Sequence, residues 1–129
     1  MSTRGAIGMR MPDGSVRAVY VHYDAYVAGV GAILGGWYDT PELVKELLDL
    51  GDLSSLGTTF ADTVAYHRDR SETMRMARHY RDIDAYRRNG KRHYGAGYLY
   101  LYDGGKWFVY GIPDEDWVEL RVAVNQEEK

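Results

Sequence analysis

The 129-residue chain has no cysteine, only three prolines and only two phenylalanines. The lack of cysteine excludes disulfide bonds, thiolate metal sites and a cysteine nucleophile. No apolar run approaches the roughly 18 residues that a membrane-spanning helix needs, and the first residues lack the basic-then-apolar pattern of a secretory signal. We therefore expect a soluble cytoplasmic protein that binds no membrane. Its length predicts one domain over residues 1–124, followed by a polar tail over residues 125–129.

Tyrosine is the dominant aromatic residue, with twelve tyrosines against two phenylalanines. A tyrosine combines a large apolar ring with a polar hydroxyl, and it loses little side-chain entropy when it is fixed. This composition favours a protein whose aromatic side chains line a groove or an interface. The alternative is that the rings border the core with their hydroxyls outward, which the spread of the tyrosines along the chain favours.

Positive charge is concentrated between Arg68 and Arg92, in what we call the arginine segment. It holds nine of the 16 basic residues and four of the 19 acidic ones, so its net charge is +5 while the rest of the chain carries −8. Guanidinium groups bind phosphate and carboxylate through two parallel hydrogen bonds. The segment predicts a site for an anionic ligand or for an acidic patch on a protein partner. The alternative is a solvated helix face with surface salt bridges.

Aromatic residues alternate with these arginines, an arrangement that suits single-stranded nucleic acid or a free nucleotide. The acidic remainder of the chain would repel long duplex DNA. We expect the arginines to contact the anion and the tyrosines to stack on the ligand or to pack at an interface. The residues predicted to bind the ligand or partner are Tyr66, Arg68, Arg70, Arg75, Arg78 and Tyr80. Neither a cofactor nor a resident metal ion is predicted.

A second hypothesis rests on two His-x-Asp patterns, one at His22 and Asp24 and the other at His67 and Asp69. In an extended strand residues i and i+2 share a face, so each pair can present an imidazole and a carboxylate to one divalent metal ion. If the two pairs met, they would form a small metal-dependent phosphodiesterase site. The simpler interpretation is that Asp24 caps the following helix.

Other catalytic and nucleotide-binding motifs are absent. The run from Gly29 to Gly36 is not a dinucleotide fingerprint, because Leu34 stands where the third glycine is required. There is no Walker motif and no Gly-x-Ser-x-Gly elbow of a serine hydrolase. The small residues of the run favour a helix that packs closely against a sheet.

Hydrophobic periodicity and turn residues predict the element order ββαα(β)αβββ. Pro12-Asp13-Gly14 is typical of a hairpin turn, and residues 52–59 are predicted to form a loop. The last predicted helix has a break near Asp82 and ends at Asn89-Gly90. The predicted strands cover residues 4–11, 15–23, 63–66, 98–102, 106–112 and 117–122, and the predicted helices cover residues 29–38, 41–50 and 72–89.

This order indicates an α+β fold, in which an antiparallel sheet carries helices packed on one face. The tyrosine-rich strand over residues 98–102 supports a third hypothesis, a structural module whose strand edges pair between subunits. A homodimer is expected, because two-fold assemblies are the commonest oligomers.

Four sequence segments resemble a family of small proteins from phages and prophages. They are MSTRGAIGMRMPDGSVRAVYVHYDAYVAGVGAIL (residues 1–34), LGDLSSLG (residues 50–57), AYHRDRSET (residues 65–73) and YLYLYDGGKWFVY (residues 98–110). The family pattern begins with Met-Ser-Thr-Arg and contains Tyr-x-His-x-Asp-x-Tyr, but Tyr23 and Ala25 stand where relatives often have Trp and Gly. The resemblance implies a viral origin rather than a mechanism.

Small phage proteins without enzymatic activity often block host antiviral defence. The resemblance therefore implies a non-enzymatic inhibitor that acts in the host cytoplasm. It would bind an anionic nucleotide signal, as a nucleotide sponge does, or a defence effector complex, as an anti-CRISPR protein does.

Overall fold

A computed structural model describes residues 3–111 and 116–127. None of the helices in these two ranges has the length and apolar character to cross a membrane. The described strands are β1 (Gly5–Arg10), β2 (Val16–Val21), β3 (Leu53–Ser55), β4 (Val64–Ala65), β5 (Arg78–Tyr80), β6 (Tyr98–Asp103), β7 (Lys106–Tyr110) and β8 (Trp117–Glu119). The described helices are α1 (Ala32–Trp37), which a π-helical turn (Val27–Gly31) precedes, α2 (Pro41–Asp49), α3 (Tyr66–Arg70), α4 (Ile83–Tyr94) and α5 (Leu120–Glu127).

The strands form one mixed sheet in the order β4-β3-β2-β1-β6-β7-β8, and β5 also pairs with β2. The β1–β2 hairpin closes at the predicted Pro12-Asp13-Gly14 turn, where a carboxylate oxygen of Asp13 accepts hydrogen bonds from the amide and hydroxyl of Ser15. These bonds lower the pKa of Asp13. At the centre of the sheet, β1 and β6 run parallel, with Gly5 opposite Tyr98.

The outer edge of β2 is shared between two short strands. β5 pairs antiparallel with Val16–Ala18, whereas β3 pairs in parallel at Val21. Between these two contacts, the amide of Tyr20 donates to the side chain of Asp52 over 3.0 Å. The carbonyl of Ala18 accepts from the hydroxyl of Tyr94, also over 3.0 Å. Side chains thus take the place of a strand along this stretch, which we call the β2 gap.

Apolar residues pack on both faces of the sheet because neighbours in a strand point to opposite sides. On one face, Ile7 belongs to the larger core cluster, which includes residues of α1, α2 and α5. On the other face, Ala6 packs in a second cluster with Tyr86 and Tyr94 of α4. The sheet is therefore covered on both sides, and α4 lies on the face opposite α1, α2 and α5.

Most tyrosines belong to the core and not to an exposed groove. Seven of the twelve are buried, and five hydroxyls donate to backbone carbonyls. The hydroxyl donors and their acceptors are Tyr38 to Gly57, Tyr86 to Tyr100, Tyr94 to Ala18, Tyr100 to Ala25 and Tyr102 to Asp39. Each bond satisfies a hydroxyl that would be costly to bury alone.

The predicted α+β class is confirmed, but two details of the architecture were wrong. The sheet is mixed and not antiparallel, because β1 pairs in parallel with β6 and β2 pairs in parallel with β3. The helices cover both faces and not one. Residues 52–59, predicted as a loop, contain β3.

The helix predicted over residues 72–89 begins eleven residues later, at Ile83. Residues 71–77 have no regular structure, and Arg78–Tyr80 form β5. The carboxylate of Asp82 accepts from the amide of Ala85 over 2.8 Å, which is the N-cap bond that starts α4. Gly90 does not end the helix, since Gly95, with φ of 61°, provides the left-handed C-terminus.

The C-terminal strand predicted over residues 117–122 is also too long. Only Trp117–Glu119 form β8, and α5 starts at Leu120. Leu120 and Ala123 are both buried, and a spacing of three residues fits one helix face. Residues 125–127 of the predicted polar tail continue α5, and residues 128–129 lie outside the described residues.

Candidate anion-binding site

A cavity of about 280 Å³ opens beside the β2 gap. It is built from β2, the turn after α2, the loop over residues 71–77, β5 and the end of α4. We call it the arginine cavity. The residues that line it are Tyr20, Asp52, Tyr66, Glu72, Arg75, Arg78, His93 and Tyr94.

The loop over residues 71–77 is attached at both ends. Near its start, the amide of Glu72 donates to the carbonyl of Tyr66 over 3.2 Å, and Nδ1 of His67 donates to the carbonyl of Glu72 over 2.8 Å. Near its end, the carbonyl of Arg75 accepts from the amide of Asp52 over 3.1 Å. These bonds hold Arg75 beside the turn that follows α2.

The turn after α2 requires glycine at position 51. Gly51 has φ of 78°, in the left-handed region that other residues rarely adopt. A Cβ at this position would lie 2.5 Å from the carbonyl oxygen of Arg75. Because Gly51 has no side chain, the loop over residues 71–77 can approach it closely.

Arg75 and Arg78 supply positive charge without a carboxylate partner. Within residues 3–111 and 116–127, neither guanidinium forms an ion pair with an acidic side chain. Both residues are exposed, and the guanidinium carbon of Arg78 lies 5.6 Å from the ring centroid of Tyr94. Two cations that are free to form bidentate bonds suit an anionic ligand.

Aromatic rings form the walls of the cavity. Tyr20 and Tyr94 are stacked with centroids 6.2 Å apart and an interplanar angle of 16°. His93 is stacked on Tyr80, and Nδ1 of His93 is hydrogen-bonded to the hydroxyl of Tyr80 over 2.9 Å. Burial lowers the pKa of His93, and the charges of Arg78 and Arg92 lower it further. The imidazole is therefore neutral at neutral pH.

Asp52 places a carboxylate at the edge of the cavity next to the β2 gap. One oxygen, Oδ1, accepts from the amide of Tyr20. Burial raises the pKa of Asp52, although the bond from Tyr20 and the charges of Arg75 and Arg78 oppose the increase. Burial is the larger effect, so the ionised carboxylate costs the folded protein stability at neutral pH.

We expect Asp52→Asn to raise the melting temperature at about pH 7, because asparagine keeps an acceptor for the Tyr20 amide and carries no charge. A raised folded-state pKa means that the cost is absent below the unfolded pKa of 3.8. The cost reaches its full value at pH values above the pKa of Asp52 in the folded protein. The rise in melting temperature caused by Asp52→Asn should therefore shrink as the pH is lowered to about 3–4. Thermal unfolding of the variant and of the unsubstituted protein is measured at both pH values.

The matched control is Asp84→Asn on the surface of α4. The pKa of Asp84 is lowered, first by its hydrogen bond with Arg87, so its charge stabilises the fold at neutral pH. This substitution should lower the melting temperature at about pH 7. A melting temperature that falls in both variants would contradict the assignment for Asp52.

The structure gathers only part of the predicted binding set. Tyr66, Arg75 and Arg78 line the arginine cavity, and Tyr80 contacts it through His93. Arg70 does not line the cavity, and its guanidinium carbon lies over the Tyr66 ring, 5.6 Å from the ring centroid.

Arg68 does not line the cavity. Its guanidinium pairs with Asp69 over 2.9 Å and donates to the carbonyls of Phe60 and Thr63. The pKa of Asp69 is lowered, first by the hydrogen bond from Arg68. The structure thus gives Arg68 a role in joining α3 to the loop that precedes β4.

The four His-x-Asp residues do not come together as a metal site. Among the residues that the structure describes, no three His, Cys, Asp or Glu side chains are placed to hold one metal ion. His22 is hydrogen-bonded to the hydroxyl of Tyr20, and Asp69 accepts from the amide of Ala65 as well as from Arg68. Nor is the side chain of Asp24 a helix cap, since the N-cap of the π-helical turn is Tyr26 and no side chain makes a capping hydrogen bond there.

Sequence reasoning missed Tyr20, Asp52, Glu72, His93 and Tyr94 as cavity residues. The first two lie outside the arginine segment, and the third was counted only as an acid within it. Gly51-Asp52 after a predicted helix was the available signal, because a left-handed glycine often precedes a change in chain direction. No sequence pattern near Tyr20 indicates that a carboxylate would accept a hydrogen bond from its backbone amide.

A larger cavity of about 500 Å³ lies between α1, α5 and the turn after β6. Glycines and other small or apolar residues provide much of its lining. Arg121, one of the two basic residues that line this cavity, pairs with Glu119 over 3.5 Å. The indole nitrogen of Trp107, another lining residue, donates to the carbonyl of Tyr38. This cavity is therefore a weaker candidate for an anionic ligand than the arginine cavity.

Comparison with protein-family models, with curated proteins and with solved structures found no match. The resemblance to phage proteins stays a prediction from the sequence. The functional argument therefore rests on the geometry and chemistry of the arginine cavity.

Proposed function

We propose that this protein is a non-enzymatic binding protein for a small anionic nucleotide. The observation that carries the proposal is the placement of Arg75 and Arg78, without ion-pair partners among the described residues, in one cavity with Tyr20 and Tyr66. Guanidinium groups bind phosphate, and tyrosine rings stack on bases. By sequestering such a ligand, the protein would block a nucleotide signal of host antiviral defence.

The size and exposure of the cavity fit this role. Its volume of about 280 Å³ is close to the lower end of small-molecule sites, which span roughly 300–1,000 Å³. Tyr20 and Tyr66 are half-buried, so part of each ring remains available to a base. A mononucleotide, or one nucleotide unit of a larger signal, is the ligand of matching size.

Binding without turnover suits the polar groups that line the cavity. The imidazole of His93 already shares a hydrogen bond with Tyr80, and Oδ1 of Asp52 accepts from a backbone amide. Both groups already take part in holding the fold, so the proposal gives them no role in proton transfer. The proposal also places the protein in the host cytoplasm as a homodimer, a part of it that rests on the sequence alone.

The test is calorimetric titration of the purified protein with linear and cyclic adenine and guanine nucleotides, with and without Mg²⁺, followed by chromatography of the ligand. We expect at least one nucleotide to bind and to be recovered intact. At a hundredfold excess over the dissociation constant, it should stabilise the fold by about 2.7 kcal/mol.

Two results would contradict the proposal. Breakdown of the nucleotide would make the protein an enzyme. If no nucleotide of the panel binds, we would infer that the arginines contact a macromolecular partner, such as an acidic patch on a defence effector complex.

A further inference from the structure

The carboxylate of Asp52 can accept more hydrogen bonds than the described residues donate to it. Its Oδ1 accepts from the Tyr20 amide, while its other oxygen has no hydrogen-bond partner among residues 3–111 and 116–127. Arg75 and Arg78 lie close enough for their charges to affect it, yet neither forms an ion pair with it. The acid therefore interacts with the arginines only at longer range and leaves both guanidinium groups without a direct ion pair.

A free acceptor beside two cations restricts the chemistry of the ligand. Phosphate groups supply acceptors for the arginines, but a phosphodiester or a fully ionised phosphate has no hydrogen to donate to Asp52. Such a group alone would give the free oxygen of Asp52 no donor and would be repelled by its charge. A ligand that carries a hydrogen-bond donor beside its phosphate would satisfy both the arginines and the carboxylate.

The position of Asp52 indicates which donor this is. Its side chain bonds the backbone of Tyr20, and its carbonyl accepts from the amide of Tyr66 over 3.2 Å. It therefore lies beside the backbone of both tyrosines, and it shares the cavity with their rings and with Arg75 and Arg78. In a nucleotide the sugar joins the base to the phosphate, so an acceptor that shares one cavity with the rings and the arginines is suited to meet the sugar.

We infer that the arginine cavity selects ribonucleotides, with the free oxygen of Asp52 accepting from a ribose hydroxyl. This inference rests on the proposed function and names the class of nucleotide bound. Acidic side chains are well suited to the ribose diol because an ionised carboxylate only accepts hydrogen bonds. Glu72, which also lines the cavity, is the second acid available to the same sugar.

The test compares ADP, 2′-deoxy-ADP and 3′-deoxy-ADP by calorimetric titration. A hydrogen bond to a charged group contributes about 1.5–3 kcal/mol, so loss of the correct hydroxyl should weaken binding by roughly 10- to 150-fold. In Asp52→Asn, which keeps the acceptor for Tyr20, ADP should bind more weakly and the difference between ADP and its deoxy analogues should shrink to a few-fold. Asp49→Asn, at an acid that pairs with Arg17 outside the cavity, should leave the preference unchanged.

The outcomes separate the inference from the proposed function. Equal affinities for the three ligands, with binding that still requires Arg75 and Arg78, would overturn the ribose assignment and leave nucleotide binding intact. A preference that survives Asp52→Asn would overturn the role of Asp52. Failure of ADP and of the guanine equivalents to bind at all would overturn both.

Discussion

Replacing Arg75 and Arg78 together by alanine is expected to reduce nucleotide affinity by roughly 10²- to 10⁴-fold, because each charged hydrogen bond contributes about 1.5–3 kcal/mol. Both side chains are exposed and lack ion pairs with the acids of the described residues. Their removal should therefore change the melting temperature little. Calorimetric titration with the nucleotide that binds the unsubstituted protein measures the loss.

The matched control is the double substitution of Arg87 and Arg88 on α4. Both guanidinium groups pair with Asp84, over 2.6 and 2.9 Å, and neither lines the cavity. The control removes the same charge from the same segment, so its affinity should remain within a few-fold of the original at moderate salt. Equal losses in the two double variants would mean that the overall charge of the segment attracts the ligand and that the cavity does not bind it.

Gly51→Ala is expected to lower both stability and nucleotide affinity. The substitution places a side chain at φ of 78° and a Cβ 2.5 Å from the carbonyl oxygen of Arg75. Backbone strain of this kind costs about 1–3 kcal/mol, and the loop that carries Arg75 must move to relieve the contact. A fall of several degrees in melting temperature, together with weaker binding, is the expected result.

Gly36→Ala is the control for Gly51. Gly36 lies in α1, and a Cβ there would meet no atom within 4 Å. Alanine in a helix is favoured over glycine by about 0.5–1 kcal/mol, so this variant should be as stable as the original or slightly more stable. A Gly51→Ala protein that keeps both its melting temperature and its affinity would show that the loop does not depend on close approach at residue 51.

Local signals in the sequence were enough for some elements. The Pro12-Asp13-Gly14 turn formed the expected hairpin, and the helix predicted to start at residue 41 does so, with the Thr40 hydroxyl accepting from the amide of Leu43. Both signals act over three or four residues, and tertiary packing did not override them.

The arginine segment shows where local signals failed. A helical pattern runs through Met76 and Tyr80, but Met76 is 73% exposed and Tyr80 lies in β5. Pairing of Arg78–Tyr80 with β2 replaced the helix, and this pairing depends on a strand more than 50 residues earlier in the chain. Sequence periodicity cannot register a partner at that distance.

Only three of the eight residues that line the candidate site were predicted, for the same reason. Composition pointed to Arg75, Arg78 and Tyr66, since clustered arginine and tyrosine are visible in the sequence. Asp52 and Tyr20 joined them only through the β2 gap, where a side chain bonds an unpaired backbone amide. That gap arises because β3 and β5 each cover part of one strand, which no local pattern indicates.

The parallel pairing of β1 with β6 has a consequence for biosynthesis. Gly5 cannot pair with Tyr98 until the chain has been synthesised beyond residue 98. Pairings between residues so far apart in the sequence form slowly. Every residue that lines the arginine cavity precedes β6 in the chain. A nascent chain therefore holds every residue that lines the arginine cavity before the centre of the sheet can close.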